Sequence, residues 1–592
     1  MKKKEFAALI DKKLLMGLSF SVIIGFWIFQ IPTLNQVLIE AHSFRQTQTA
    51  YQSLTMSQGF GSLLHPKLPI FGSPWEVPFE FPLFQYSAAI LIRVFHLSSD
   101  VSNRLASLIW FTLCLIPLWL IVRKWLGITA AYGAILIFTL SPFAIQWSRA
   151  SLIEYCALFF GLSFVFLFSE NWRNFKFYSL FGATITGSVC GMIKSTTLLA
   201  LIIFLLFLIP DISGTFHHWK KNLRRTVNSI AIVFPVFAAT AWWTHHADQI
   251  KGASPATKWL TSSSLQSWNF GTVQQRLNID NWLSILGRID SLILPRYTTV
   301  VLLLLPILIF ESRRIAFAAT ASITLTVAIF FNLYIVHDYY LVALTPQLSI
   351  LSIIAVQSIC SKISETQKTT TFFLVVFIAI CLPLYQSKTY WKLSRSHLTY
   401  THELKSLSEP DQFVIYGTND WDPTGLYYSE RRGMMMDSRG MTTKVLAELP
   451  DLEGYDFYYG PKDRADLIGI RGLYAPVGSA TIRIGDVISD FGPLGVIFST
   501  RDFKKHFRRV QKMTCSGENF FSFESYPIGT IFKTTSTGTN YFQKAPGIIP
   551  VPVGQSVIVT DKPSDAPPQT VSCIGGGTVI FSIVKDSTFP FK

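Results

Sequence analysis

The stretch Glu40-Ala41-His42-Ser43-Phe44-Arg45-Gln46-Thr47-Gln48-Thr49-Ala50 follows an apolar run from Leu14 to Ile31. A run of that length crosses a bilayer as a helix, because about 20 apolar residues rising about 1.5 Å each cover the hydrocarbon core. An acid, an imidazole and a guanidinium thus stand close together where the chain leaves a membrane. Ionisable groups are costly beside lipid, so their presence there points to function. The plainer reading is a polar loop that returns the chain to the surface.

The rest of the chain agrees with a membrane setting. Half of the 592 residues are hydrophobic, 15% are charged and the mean hydropathy is +0.36. Soluble globular chains carry roughly a quarter charged residues and lack repeated apolar runs of spanning length. The net charge of +15 therefore does not mark a nucleic-acid partner, since the Lys and Arg of membrane proteins concentrate in cytoplasmic loops. Met1-Lys2-Lys3-Lys4 leads into a span without a small-residue cleavage site, so no cleavable signal is expected. The seven cysteines form no CxxC pair, and a structural zinc site is not expected.

Loop charges predict the topology. Lys2 to Lys4, Lys12 and Lys13 hold the N-terminus in the cytoplasm, which puts Glu40 outside. Leu83 to Phe95 is too short for a comfortable crossing and reads as an interfacial amphipathic helix. With it lying in the interface, Arg123-Lys124, Arg173, Lys176, Lys220-Lys221, Arg224-Arg225 and Arg313-Arg314 all fall inside. About eleven crossings satisfy every basic cluster. The expected fold class is an α-helical polytopic domain over residues 1–387, with interfacial helices in the first outer loop. An exported α/β and β-rich soluble domain follows over 388–592. Phe413 to Gly417, Tyr455 to Tyr459, Asn519 to Ser525, Ser556 to Thr560 and Thr578 to Val584 read as its strands, and Val445 to Leu449 as part of a helix. Cys515 and Cys573 are the cysteines of this part, and the outer compartment permits a disulfide between them.

In this topology Glu40, His42, Arg45, Arg149, Glu154, Lys194, His245, His246, His337 and Asp338 reach one face of the membrane. Guanidinium and ammonium groups hold phosphate, and two carboxylates supply a base or a divalent metal site. A phosphate at a membrane surface belongs to a lipid. Each residue also has a structural reading. Arg45 and Arg149 bind phosphate or pair with Glu40 and Glu154, and Lys194 meets phosphate or snorkels to the interface. His42 orients a carboxylate or caps a helix. His337 has Asp338, Tyr339 and Tyr340 beside it, which assist a substrate or a metal or belong to an aromatic belt. His245 and His246 are adjacent and point apart on a helix, which disfavours a metal site there.

The first motif resembles the acid-x-His-Ser-Trp-Arg-Gln-Ala-Asp-Thr-Ala pattern of bacterial GT-C membrane glycosyltransferases. These are relatives of the protein O-mannosyltransferases and of the lipid A aminoarabinose transferase. Glu80-Phe81-Pro82-Leu83, Ser141-Pro142 with Arg149 and Glu154, and His337-Asp338-Tyr339-Tyr340 before Pro346 continue the likeness. Asn419-Asp420-Trp421 with Pro423, Tyr427-Tyr428-Ser429 and Arg431-Arg432-Gly433 extend it into the C-terminal part. The resemblance implies inverting transfer of a sugar from a polyprenyl-phosphate donor to a glycan, lipid or protein hydroxyl. The transfer takes place on the outer face of a bacterial cytoplasmic membrane. Glu40 takes the base position, Glu154 the second acidic position, and Arg45, Arg149 and Lys194 the donor phosphate. No cofactor is implied with certainty, and a divalent metal stays open. Phe44 replaces the commoner Trp and Gln48 the commoner Asp, which weakens any metal ligation resting on the latter. No phosphate-binding P-loop or dinucleotide fingerprint occurs. A flippase or transporter of lipid-linked glycans, or a glycan ligase or polymerase, is the alternative.

Overall fold

The computed structural model describes residues 12–386 apart from 73, 210–221, 255, 310–311 and 362–364. It then describes parts of 401–437 and, from 457 onward, the backbone of the strands. Val445 to Leu449, Trp421 and the side chains of Cys515 and Cys573 lie outside the described residues. The chain divides into two compact units. One is built from residues 1–67, 77–252 and 259–393, the other from 68–76, 253–258 and 394–592.

The first unit is helical. Its principal helices are α1 (Lys12–Gln30), α2 (Ser43–Ser57), α3 (Leu83–Phe95), α4 (Ser99–Leu126), α5 (Ile128–Leu140) and α6 (Pro142–Trp147). Next come α7 (Glu154–Asn174), α8 (Phe177–Ile193), α9 (Ser195–Leu208), α10 (Leu223–Gly252), α11 (Val273–Leu277) and α12 (Ile279–Leu292). Last are α13 (Arg313–Ile329), α14 (Phe331–Val336), a 3-10 segment (Asp338–Leu344), α15 (Thr345–Ser361) and α16 (Glu365–Gln386).

Among the described residues five stretches are long and apolar enough to span a membrane. They are Leu15–Thr33, Ser99–Leu126, Glu154–Asn174, Leu223–Gly252 and Asp338–Ser361. This multi-pass helical architecture is coarser than the expected count of crossings, because the other apolar stretches are helices of 10–17 residues. The apolar run from Ala130 to Phe143 is interrupted. Its helix α5 stops at Ser141, whose hydroxyl caps the new helix α6 by accepting from Ala144 N, with Pro142 in the first turn. Proline suits that position because its missing N–H would have no partner in a first turn.

Charges sit where helix dipoles favour them. α4 starts with Ser98 accepting from Val101 N and Asp100 in its first turn, and ends with Arg123 and Lys124. Lys124 Nζ donates to Glu170 Oε1 at 2.8 Å, tying α4 to α7. Small residues let α7, α8, α9 and α10 approach closely. A Cβ on Gly191 would fall 2.0 Å from Thr240 Oγ1, and one on Gly161 would fall 2.3 Å from Leu201 Cδ1. Helices in lipid gain contact in this way because no hydrophobic effect drives them together there. Phe111 anchors the core, stacked on Phe138 at 5.4 Å and edge-on to Tyr155 at 5.0 Å.

Among the described residues the second unit holds three sheets. Strands β1 (Val414–Thr418), β2 (Gly433–Asp437) and β3 (Phe457–Gly460) pair in parallel, and β4 (Val487–Asp490) and β5 (Val496–Ser499) extend the sheet antiparallel, in the order β2-β1-β3-β5-β4. The later strands form two four-stranded antiparallel sheets. Residues 68–76, from the loop between α2 and α3, belong to this unit. Gly433 N donates to Pro69 O at 3.0 Å and Met435 N to Ile70 O at 2.8 Å, so the loop adds to the free edge of β2.

Candidate active site

The site lies in the first unit, at helix ends and in the short connections between them. α2 begins at His42, which takes the left-handed conformation with φ 55° and whose carbonyl accepts from Arg45 N and Gln46 N. Its side chain does not cap the helix. His42 Nε2 instead meets Asp338 Oδ1 at 2.8 Å, where the 3-10 segment starts. Of the two readings open for His42, the geometry selects the one that engages a carboxylate. The imidazole is walled by Tyr339 at 5.0 Å, His337 at 5.3 Å and Trp147 at 5.7 Å between ring centres.

One turn into α2, Arg45 Nη2 donates to Glu80 Oε2 at 2.8 Å. Glu80 Oε1 accepts from Gln85 Nε2 at 2.7 Å, and the same Nε2 reaches Gln52 Oε1 at 3.1 Å. Burial works to lower the Arg45 pKa, but Glu80, Tyr339 and Glu154 together outweigh it and the guanidinium is raised above its ordinary value. Lys194 separates α8 from α9 in extended conformation, and its ammonium donates to Glu154 Oε1, on the first residue of α7. A carboxylate suits the first turn of a helix. Lys194 also stands 4.0 Å from the Tyr340 ring centre and 5.3 Å from that of Tyr339. Phe81 N donates to Met192 O at 3.0 Å, which fastens the Glu80 loop beside the helix end carrying Lys194. Glu80 and Glu154 both act on the charges of Arg45 and Lys194, so the four form one cluster.

His337 borders the cluster. Burial first, then the positive fields of His42, Arg45 and Lys194, push its pKa down to about 3, so the ring is neutral. Its position is set by Arg288 of α12, which donates to Tyr334 O and Ile335 O, each at 2.9 Å. The last carbonyls of a helix need such donors.

Glu40 and Arg149 belong to a second, drier group. The Glu40 side chain is 2% exposed and that of Arg104 fully buried. Arg104 Nη1 donates to Glu40 Oε1 at 2.7 Å and to Arg149 O at 3.2 Å. Its Nε reaches Gln36 O at 2.9 Å and its Nη2 reaches Val37 O at 2.8 Å. Arg149 Nη2 donates to Glu40 Oε2 at 3.4 Å and to Gln146 Oε1 at 3.0 Å. Arg149 thus pairs with an acid, one of the two readings open to it. Since Glu154 follows Arg149 by five residues, chain length alone keeps their Cα atoms within about 18 Å. The two acids therefore cannot lie on opposite leaflets.

Arg104 escaped the sequence reading. The signal was present, because an arginine in the second turn of an apolar span is costly unless paired. Arg288 left no comparable signal. For a divalent metal the fit is poor. Glu80 and Glu154 each face a cation, and among the described residues no group of three or more His, Cys, Asp or Glu side chains gathers.

Comparison with known proteins bears on the fold. The profile of the family described as dolichyl-phosphate-mannose-protein mannosyltransferase matches residues 76–243, less than a third of the chain. No curated protein matches. ArnT from Cupriavidus metallidurans bound to undecaprenyl phosphate superposes with a TM-score of 0.56 at 12% identity, over 82% of this chain and 98% of that one. The apo form of the same protein gives 0.51 at 12% identity, over 82% and 97%. The expected likeness to the GT-C membrane glycosyltransferases thus holds for the fold.

Proposed function

We propose that this chain is a membrane glycosyltransferase that moves a sugar from a polyprenyl-phosphate donor to a hydroxyl acceptor. The observation that carries this reading is one half-buried cluster. It combines two cations whose side chains keep 15% and 10% exposure, Arg45 and Lys194, with a histidine backed by a carboxylate, His42 on Asp338. The shared fold with a protein solved bound to undecaprenyl phosphate supports a lipid-linked donor.

In the proposed reaction the acceptor oxygen attacks the anomeric carbon opposite the phosphate. His42 takes the hydroxyl proton, with Asp338 fixing the ring and stabilising its charged form. The bond from the anomeric carbon to the phosphate oxygen breaks, and the leaving polyprenyl phosphate is held by Arg45 and Lys194. Direct displacement inverts the anomeric centre. Glu40, given the base by resemblance, is assigned a structural part instead. Protonating it would strand two buried guanidiniums, Arg104 and Arg149. Arg149 is committed to that group and is not counted among the phosphate ligands. Glu154 orients Lys194 and keeps Oε2 unpaired. About eleven crossings, an outward-facing site and an exported C-terminal part in the bacterial cytoplasmic membrane complete the proposal.

A ligase or polymerase would use the same chemistry with a larger donor. A flippase is less well supported, because transporters place their ionisable residues at mid-bilayer between repeats, whereas these sit at helix ends. The test is release of polyprenyl phosphate from a radiolabelled polyprenyl-phosphate sugar by membranes containing the protein. The expected result is release that depends on the protein and is lost in His42→Asn. Undiminished release by His42→Asn overturns the dyad, and failure to bind or turn over any polyprenyl phosphate overturns the function.

A further inference from the structure

Gln48 is 1% exposed, yet neither its Oε1 nor its Nε2 has a hydrogen-bond partner. It lies on the face of α2 that carries Arg45 three residues before it and Gln52 four residues after it, since such positions are neighbours on a helix. Both neighbours lead to the same place. Arg45 bonds Glu80, Gln52 accepts from Gln85, and Gln85 donates to Glu80. Two more buried oxygens of this cluster also lack partners, Gln85 Oε1 and Glu154 Oε2. Turning the Gln85 amide over would not help, because its Nε2 already serves two acceptors.

Buried polar atoms in native proteins are nearly always paired, with protein, ordered water or a ligand, so an unpaired set beside charged groups points to something that both donates and accepts there. The chemistry of these atoms narrows the ligand. One amide nitrogen offers two N–H donors, and three oxygens wait for donors. A phosphate has only acceptors and would leave Gln85 Oε1 and Glu154 Oε2 unserved. A cation could not accept from Gln48 Nε2 and would be repelled by Arg45 and Lys194. A run of hydroxyls, each donating and accepting, satisfies all four atoms.

We propose that Gln48, Gln85 and Glu154 Oε2 form a recognition surface for the hydroxyls of a sugar ring, set beside the phosphate-binding cations. This rests on the reading of the cluster as a sugar-transfer site and names the residues that select the sugar. The side chain that reads the sugar is a glutamine where the related pattern has an aspartate. It therefore recognises by neutral hydrogen bonding rather than by charge.

The experiment uses the full chain in nanodiscs and two near-isosteric variants, Gln48→Met and Gln48→Leu. Binding is measured for undecaprenyl phosphate alone and for undecaprenyl phosphate carrying glucose, mannose or arabinose. Free glucose, mannose and arabinose are titrated in parallel at saturating undecaprenyl phosphate. The wild type is expected to bind one sugar-bearing lipid, or one free sugar, at least tenfold more tightly than either variant does. Affinity for bare undecaprenyl phosphate should stay within twofold. Loss on the sugar-bearing lipid assigns the surface to the donor, and loss on the free sugar assigns it to the acceptor. Either supports the proposal. Thermal stability of the variants should hold or rise, because a buried amide without a partner contributes nothing to the fold. Sugar discrimination retained in both variants, or a melting temperature lowered as for a structural hydrogen-bonder, overturns it. If the wild type binds bare and sugar-bearing lipid equally and binds none of the free sugars more tightly than the variants do, the recognition surface fails while the phosphate site stands. If it binds neither lipid, the sugar-transfer reading itself fails.

Discussion

Replacing Arg104 by methionine tests the division of labour between the two groups of charges. Methionine keeps much of the apolar stem but removes four hydrogen bonds, to Gln36 O, Val37 O, Arg149 O and Glu40 Oε1. Each orphaned carbonyl costs about 1 kcal/mol, and removing one partner of a buried ion pair costs about 3–5 kcal/mol. The terms do not add fully, because Arg149 still faces Glu40 Oε2 and the carbonyls can turn. The net loss expected is therefore about 3–5 kcal/mol. Glu40→Gln strands two guanidiniums in the wild type but only Arg149 once Arg104 is gone, so the double variant should lose about 1–3 kcal/mol less than the sum of the single effects, the coupling typical of contacting residues. The assay is unfolding in mixed micelles followed by tryptophan fluorescence, for the wild type, both single variants and the double variant. A loss below about 1 kcal/mol, or single effects that add to within about 0.5 kcal/mol, refutes the reasoning. Such a result would release Glu40 for a chemical role.

Asp338→Asn is expected to cut single-turnover sugar transfer about 100- to 10,000-fold, as does loss of a general base. It should leave undecaprenyl phosphate binding intact. Lys194→Gln should weaken undecaprenyl phosphate binding by about 10- to 100-fold, the worth of a charged hydrogen bond, read by titration in nanodiscs. His337 is held at about 3 against an ordinary 6.5, so on acidification the unfolded chain takes up its proton first. The stability it contributes is present in full above about pH 6.5 and fades as pH falls toward about 3. His337→Gln should flatten melting temperature against pH between 6.5 and 4, and an unchanged slope counts against this assignment. Gly433→Ala places a Cβ 2.1 Å from Val414 O, a backbone atom that no rotamer change can move aside. Overpacking of that kind costs about 1–3 kcal/mol, to be read as faster proteolysis of the C-terminal unit.

How much of this was legible in advance depends on whether an interaction is local. The apolar runs announced a multi-pass helical unit. The strand at Val414–Thr418 was legible from its short apolar run. Ser141-Pro142 stands out in the sequence as a motif, but that it breaks the chain into two buried helices is visible only in the fold. Of the candidate residues, His42, Arg45, Glu154, Lys194, His337, Asp338 and Tyr339 do come together, whereas Glu40 and Arg149 gather around Arg104.

The sequence by itself determined that this chain lives in a membrane and collects ionisable groups near the ends of its apolar helices. Hydropathy sums along the chain, so a one-dimensional reading captures it. Only the tertiary structure decided which charge answers which. His42 and Asp338 are 296 positions apart, and Glu40 and Arg104 are 64 apart. A buried carboxylate settles on whichever guanidinium or imidazole the helix crossings bring within about 3 Å, and sequence distance carries no information about that.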